Sequence, residues 1–282
     1  MRNPSVRLAT VTAMLAFAGN SLLCRVALRD TSIDAGSFTS VRILSGALAL
    51  WLIVRLQQRP GSLAGAGNWP SALALFAYAA AFSFAYVGLS AGTGALLLFG
   101  AVQATMIGVG VSRGERFSAM QLAGLVLACA GLIGLLLPGL SAPPLGGAGL
   151  MLLAGVAWGI YSLRGKGAGD PTRVTAGNFL RATVPALALA VFGLADARWD
   201  TAGMVYAVAS GALTSGMGYA IWYVAVRGLR ATTAATVQLS VPVIAALGGT
   251  LFLGESLTLR LLLTSTAILG GIALVILRKP AA

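Results

Sequence analysis

Arg42-Ile-Leu-Ser-Gly-Ala-Leu-Ala-Leu50 and Arg181-Ala-Thr-Val-Pro-Ala-Leu-Ala-Leu189 lie about 140 residues apart in a chain of 282, and that spacing organises the rest. At nearly the same offset Gly114-Glu115-Arg-Phe-Ser118 meets Gly254-Glu255-Ser-Leu-Thr258, Gly19 meets Gly159, Thr93 meets Thr233 and Gly131 meets Gly271. A shift of 137 sets Phe82 on Tyr219 and Tyr86 on Tyr223, so the connection after the second pair is about three residues longer. Ala-Leu-Ala-Leu alone would match by chance in a chain so rich in both residues. An arginine, a Gly-Glu pair and two aromatic positions agreeing at nearly one offset make a far stronger match. The chain reads as two copies of one unit.

Each unit is built for a bilayer. A membrane-spanning helix needs about 20 mostly apolar residues, because ~1.5 Å of rise each must cross a ~30 Å hydrocarbon core. Five such segments fall near 8–27, 36–56, 70–89, 94–112 and 119–138, and five more near 147–164, 174–194, 202–226, 232–253 and 260–278. The connections are short and carry turn residues, as in Arg59-Pro60-Gly61 and Pro143-Pro144-Leu145-Gly146-Gly147. Five is odd, so the second copy must enter the membrane from the other face. The expected fold is an all-α membrane protein of ten transmembrane helices, with five-helix repeats over 1–140 and 141–282 inverted about a pseudo-twofold axis and integrated into one membrane domain.

Composition agrees. Hydrophobic residues make up 58% and charged residues 9%, with a mean hydropathy of +0.90. A soluble domain carries about a quarter charged residues, so this chain cannot cover a water-facing surface. The formal charge of +12 is spread singly between apolar runs, with no basic stripe interleaved with aromatics, which argues against a nucleic-acid partner. Placed in alternate connections, thirteen Lys and Arg fall on the side of the termini, from Arg2 and Arg7 to Arg278 and Lys279. Only Arg25, Arg29, Arg198 and Arg260 fall on the other, so both termini are expected to be cytoplasmic in an inner (plasma) membrane. The N-terminal segment reads as a first span rather than a signal peptide, because similar apolar segments recur to the end of the chain.

The chemistry is restricted too. The sequence holds no histidine, which excludes His metal ligands, His triads and His proton relays. Cys24 and Cys129 lie in apolar runs as small packing residues. No catalytic residue, metal or cofactor is expected, and a membrane enzyme is disfavoured for the same reasons. The acids Asp30, Asp34, Glu115, Asp170, Asp196, Asp200 and Glu255 all fall at or beyond span ends. Proton-coupled export of cationic drugs needs a buried carboxylate, so facilitated or weakly coupled transport of neutral or zwitterionic solutes is expected instead. The two glutamates read as residues that pin short turns.

The stretch Ser240-Val-Pro-Val-Ile-Ala-Ala-Leu-Gly-Gly-Thr-Leu-Phe-Leu-Gly-Glu-Ser-Leu-Thr258 resembles the ninth span of drug/metabolite transporters of the EamA type, with Gly114-Glu115 and the glycine-rich fifth span as its counterpart in the first half. The resemblance covers nearly the whole chain. Within that superfamily it is most similar to amino-acid and metabolite exporters of the YddG kind, which would imply export of aromatic and other neutral amino acids. An organic-anion or sugar-phosphate carrier of the same superfamily is the alternative. The partners implied are a small-molecule substrate and membrane lipid, with the chain monomeric.

Candidate site residues follow from face and polarity. Tyr78, Phe82 and Tyr86 recur every four residues and share one face of the third span. Tyr219, Trp222 and Tyr223 occupy the matching part of the eighth span. Facing a cavity, such rings would supply flat apolar walls with hydroxyl handles; packing or interfacial anchoring is the alternative for each. Among the intramembrane amides Asn20, Gln103, Asn178 and Gln238, the candidates for ligand contact are Gln103 and Gln238, in the repeat-mate spans four and nine. Arg42 and Arg181 are the basic residues well inside spans, suited to gating or attracting an anion, or to snorkelling. Pro185 and Pro242 should interrupt spans seven and nine, and Pro242 has no equivalent in the first half, where Val102 stands.

Overall fold

The computed structural model describes residues 4–57, 66–112, 114, 117–139, 142–165, 169–229 and 231–277, and those residues fold into helices without a strand. Ten helices long and apolar enough to cross a membrane succeed one another. They are α1 (Pro4–Asp30), α2 (Ala35–Leu56), α3 (Trp69–Tyr86), α4 (Ala91–Ser112) and α5 (Ala119–Leu136) in the first half. The second half holds α6 (Leu145–Gly165), α7 (Pro171–Phe192), α8 (Thr201–Arg227), α9 in two pieces (Ala231–Gln238 and Ser240–Leu253) and α10 (Leu259–Leu277). The chain is a multi-pass membrane protein. The observed ends lie within a few residues of those expected, the largest departure being α1, which runs out past its apolar stretch at both ends.

Polar residues at span ends start the helices. Asp34, Asn68, Asp170 and Asp200 each accept a backbone N–H of the first turn, from Ser37, Ser71, Thr172 and Gly203 respectively. Ser118 and Gln121 form a reciprocal capping box at α5. Three of the acids thus serve as helix caps. Gly254 ends α9 in the left-handed region at φ 62°, which a side chain there would strain.

The halves interlock rather than stand side by side. Helix α1 packs on α8 and its counterpart α6 packs on α3; α4 packs on α6, and α9 on α1. Repeat mates also meet directly, α2 on α7, α4 on α9 and α5 on α10. This exchange of partners is what a pseudo-twofold axis produces. The α5–α10 pair is peripheral: its contact lets Gly124 and Gly271 approach backbone to backbone, and much of its remaining surface is lipid-facing leucine and isoleucine. The other eight helices surround a buried centre.

Two irregularities break the symmetry. Within α8, Ser210–Met217 winds as a π-helix, a wider turn that regular α3 lacks at the matching level. Here Gly211 lies against the carbonyl of Arg42, where any side chain would collide with α2. Helix α9 breaks at Leu239, whose N–H turns back to Thr236 at 3.1 Å. Pro242 explains the position: its ring has no N–H for the carbonyl of Gln238 and crowds it, so the helix restarts one residue later. Pro185, in contrast, lies inside a continuous α7.

Candidate functional site

At the centre, rings from both halves converge. Tyr78 of α3 and Tyr219 of α8 flank Trp158 of α6, each with its ring centroid 4.9 Å from the indole. Phe17 of α1 meets Tyr219, Trp222 and Trp158 edge-on at 5.9, 5.8 and 6.4 Å. Phe82 continues the row, 5.4 Å from Tyr78 and 4.7 Å from Tyr86. These rings bound a narrow cavity of about 20 Å³, room for a water molecule, lined by Phe17, Asn20, Ser21, Tyr78, Phe82, Leu98, Phe99, Trp158 and Tyr219. Its walls come from α1, α3 and α4 of one half and α6 and α8 of the other.

A polar chain runs along one side of that cavity. Asn20 accepts from the Ser210 hydroxyl at 2.7 Å and from Thr214 at 3.1 Å, and donates to the Tyr78 hydroxyl at 3.3 Å. Arg42 donates to the same hydroxyl through Nη2 at 3.1 Å and to Ser215 through Nε at 3.3 Å. Its guanidinium carbon stands over the rings of Phe82 and Tyr78, 4.8 and 5.2 Å from their centroids. The side chain is 2% exposed, and Nη1 has no hydrogen-bond partner. Tyr78 and Ser215 are related by the same shift of 137 that relates Phe82 to Tyr219, so Arg42 spans two repeat-mate positions.

At the C-terminal end of α1 the surrounding helix ends are tied together. There Arg25 reaches Glu255 at 2.9 Å and the backbone carbonyls of Tyr86 and Val87 at 3.0 and 3.1 Å. Glu255 also accepts the backbone N–H of Ala91 at 2.8 Å, and Arg29 donates to the Leu253 carbonyl. One carboxylate therefore joins the end of α1 to the start of α4 and to the α9–α10 connection. Beneath this tie the Tyr86 hydroxyl caps the Ala91 carbonyl, and Tyr86 packs on Phe82 of the cavity wall. At the opposite end Arg164 donates to Ser71 and Asn68, and Asn178 accepts the Asn68 N–H.

The candidates from sequence thus separate by location. Tyr78, Phe82 and Tyr219 line the cavity, with Arg42 behind Tyr78 and Phe82. Tyr86 and Trp222 are buried one ring further out. Tyr223 is half-buried near one end, in a depression with Asp170, Thr172 and Arg227. Gln103 is buried in α4 with its amide nitrogen unpartnered, and Gln238 bonds its own helix at the Ala234 carbonyl just before the break. Arg181 is half-buried and donates to the carbonyls of Ala66 and Gly177, away from the rings. Glu115 lies outside the described residues. Sequence reasoning passed over Phe17 and Trp158, although they stand two and one residues before the matched glycines Gly19 and Gly159. It also passed over the hydroxyls of Ser210, Thr214 and Ser215, which an ordinary α-helical wheel would not group, because the π-helix sets their facing.

Comparison with known proteins places the chain. The model of the EamA-like transporter family matches residues 145–277. An uncharacterized protein of Pseudomonas aeruginosa is 60% identical over 95% of this chain and 93% of its own. The threonine/homoserine exporter RhtA of Salmonella typhimurium is 31% identical over 48% of this chain and 47% of its own length, and that of Escherichia coli is 31% identical over 44% and 42%. A solved crystal structure superposes with a TM-score of 0.70 over 98% of this chain and 99% of that one, at 17% identity. This last likeness concerns the fold.

Proposed function

The chain belongs to the EamA-like transporter family, and from that premise we propose that it exports small neutral or zwitterionic metabolites, amino acids foremost, by alternating access. The observation that carries this reading is the aromatic cavity whose walls are divided between the halves. If the two halves rock about their shared axis, such a site opens to each face in turn while its contents stay enclosed. Ring walls with a few hydroxyl and amide handles suit an amino acid: apolar faces take the side chain, and polar groups take the backbone end. The exporter named for threonine and homoserine, similar over about half its length, supports the same substrate class. The charge asymmetry of the connections supports an inner-membrane setting with both termini cytoplasmic.

A second reading, an organic-anion or sugar-phosphate carrier, draws on the buried Arg42. A clamp would need Arg181 as well, and that guanidinium already bonds two backbone carbonyls outside the cavity. Counterflow in liposomes holding the purified protein decides between them. Labelled L-phenylalanine and L-threonine should exchange, and Tyr78→Ala or Tyr219→Ala with normal folding should reduce the flux. Exchange of a phosphorylated solute with none of either amino acid would reverse the order of the two readings.

A further inference from the structure

Hydrogen-bond accounting in the polar chain leaves donors over. The Tyr78 oxygen receives both Asn20 and Arg42, so its proton must go elsewhere. Both Tyr78 and Tyr219 line the cavity. The Asn20 oxygen is filled by Ser210 and Thr214. Arg42 Nη1 is buried and unpartnered, and neither ion pair found among the described residues involves Arg42. The region therefore carries one positive charge and surplus N–H and O–H donors, with no anionic acceptor supplied.

Depth sharpens the point. Arg42 is the eighth residue of α2, about 10 Å along the helix from Ala35, and it turns inward instead of reaching for the near interface. The rings of Tyr78 and Phe82 hold the guanidinium plane, and Tyr78 and Ser215 fix two of its three nitrogens. The third is left free on a rigid group, a geometry suited to a carboxylate oxygen.

Resting on the exporter reading above, we infer that Arg42 is the substrate's carboxylate anchor, so that the transported class is defined by a carboxylate beside an apolar or small side chain. Arg42 stands behind the Tyr78 and Phe82 rings in this structure, so the carboxylate reaches Nη1 when the halves rock and those rings part, and it also takes a tyrosine hydroxyl proton. The side chain lies among Phe17, Trp158 and Phe99. An amine is accommodated without being required, because no acid waits to receive it.

Counterflow with four probes tests this: L-phenylalanine, 3-phenylpropionate, L-phenylalaninol and phenethylamine, on wild type, Arg42→Lys and Arg42→Gln. Both acids should exchange in wild type, and the alcohol and amine should fall at least about tenfold below them. Arg42→Gln should lose the acids by a similar factor while melting in detergent no lower than wild type. Arg42→Lys should recover part of the flux. L-phenylalanine should raise the melting temperature of wild type and leave that of Arg42→Gln unmoved, a binding readout independent of transport. Equal exchange of acid and alcohol would overturn the anchor while leaving the exporter reading standing. Unchanged phenylalanine flux in a well-folded Arg42→Gln would also overturn it. Exchange of none of the four, nor of threonine, would remove the exporter reading itself.

Discussion

Arg42 and Arg181 hold matching places in matching helices, yet their side chains have different fates. Arg42 turns to the centre, lies on two rings and bridges α3 to α8. Arg181 runs back along α7 to the Gly177 carbonyl and to Ala66, ahead of α3. The backbone symmetry that placed both does not extend to what surrounds them. Position 78 is a tyrosine and its mate 215 a serine; the α8 level is π-helical and the α3 level is not. The lesson is that an inverted repeat supplies a symmetric frame, and a site forms where the two halves differ. One intramembrane arginine turns to the buried centre, and the other bonds backbone carbonyls away from it.

The largest expected contrast comes from that pair. Arg42→Gln should cut carboxylate counterflow at least about tenfold, whereas Arg181→Gln should leave it within about twofold and lower the melting temperature instead, since it removes two part-buried hydrogen bonds to backbone carbonyls at about 1 kcal/mol each. Equal flux losses in both variants would restore the symmetric clamp. Next is Trp158→Leu, which keeps an apolar side chain in the core but removes the ring that touches Tyr78, Tyr219 and Phe17 together. Flux should fall about tenfold, against a smaller loss for Trp222→Leu, whose ring meets Phe17 outside the cavity.

A third contrast concerns the two ends. Glu255→Gln removes the charge that ties α1 to the α4 and α9–α10 connections; the pair is 14% and 11% exposed, so its loss should cost about 1–2 kcal/mol. Cys24 is buried one residue before Arg25, and Cys129 is exposed. In a Cys129→Ser background, maleimide labelling of Cys24 should speed up about tenfold on Glu255→Gln, and an unchanged rate would show that the tie does not close that end. The smallest effect is at the helix starts, where Asp34 caps α2 and Asp170 caps its mate α7. Burial opposes ionisation of Asp34, but hydrogen bonds from the Ser37 hydroxyl and from the N–H groups of Arg198, Ser37 and Gly36 outweigh it and hold the carboxyl below its usual range. A pKa depressed by folding gives stability that is present above about pH 4 and lost as pH falls through the lowered value. Asp34→Asn should cost about 1 kcal/mol or less at neutral pH, and the gap from wild type should close on acidification in a detergent melt.

How much could be read in advance depended on what kind of signal each feature leaves. Ten spans and a repeat are written in one dimension, because the bilayer fixes a span's length and an odd count fixes inversion. Tyr78, Phe82 and Tyr219 were legible as a periodic face. Trp158 and Phe17 were not, because a single ring in an apolar run is indistinguishable from packing until its neighbours are known. The break at Leu239 followed from Pro242, but the π-helix of α8 has no comparable marker. It arises where Gly211 lets α2 press against the backbone.

By itself, then, the sequence determined the solvent, the helix count, the inversion and the placement of acids at helix ends. These follow from hydrophobicity and local hydrogen bonding, which act along the chain. Only the tertiary structure decided which arginine turns to the buried centre and which rings enclose the cavity there. Both depend on groups 36 to 194 residues apart, from Arg42 with Tyr78 and Ser215 to Asn20 with Ser210 and Thr214, and finally the α1 and α2 contacts across to α8. A side chain's partners at that range are set by helix packing, and no local pattern encodes them.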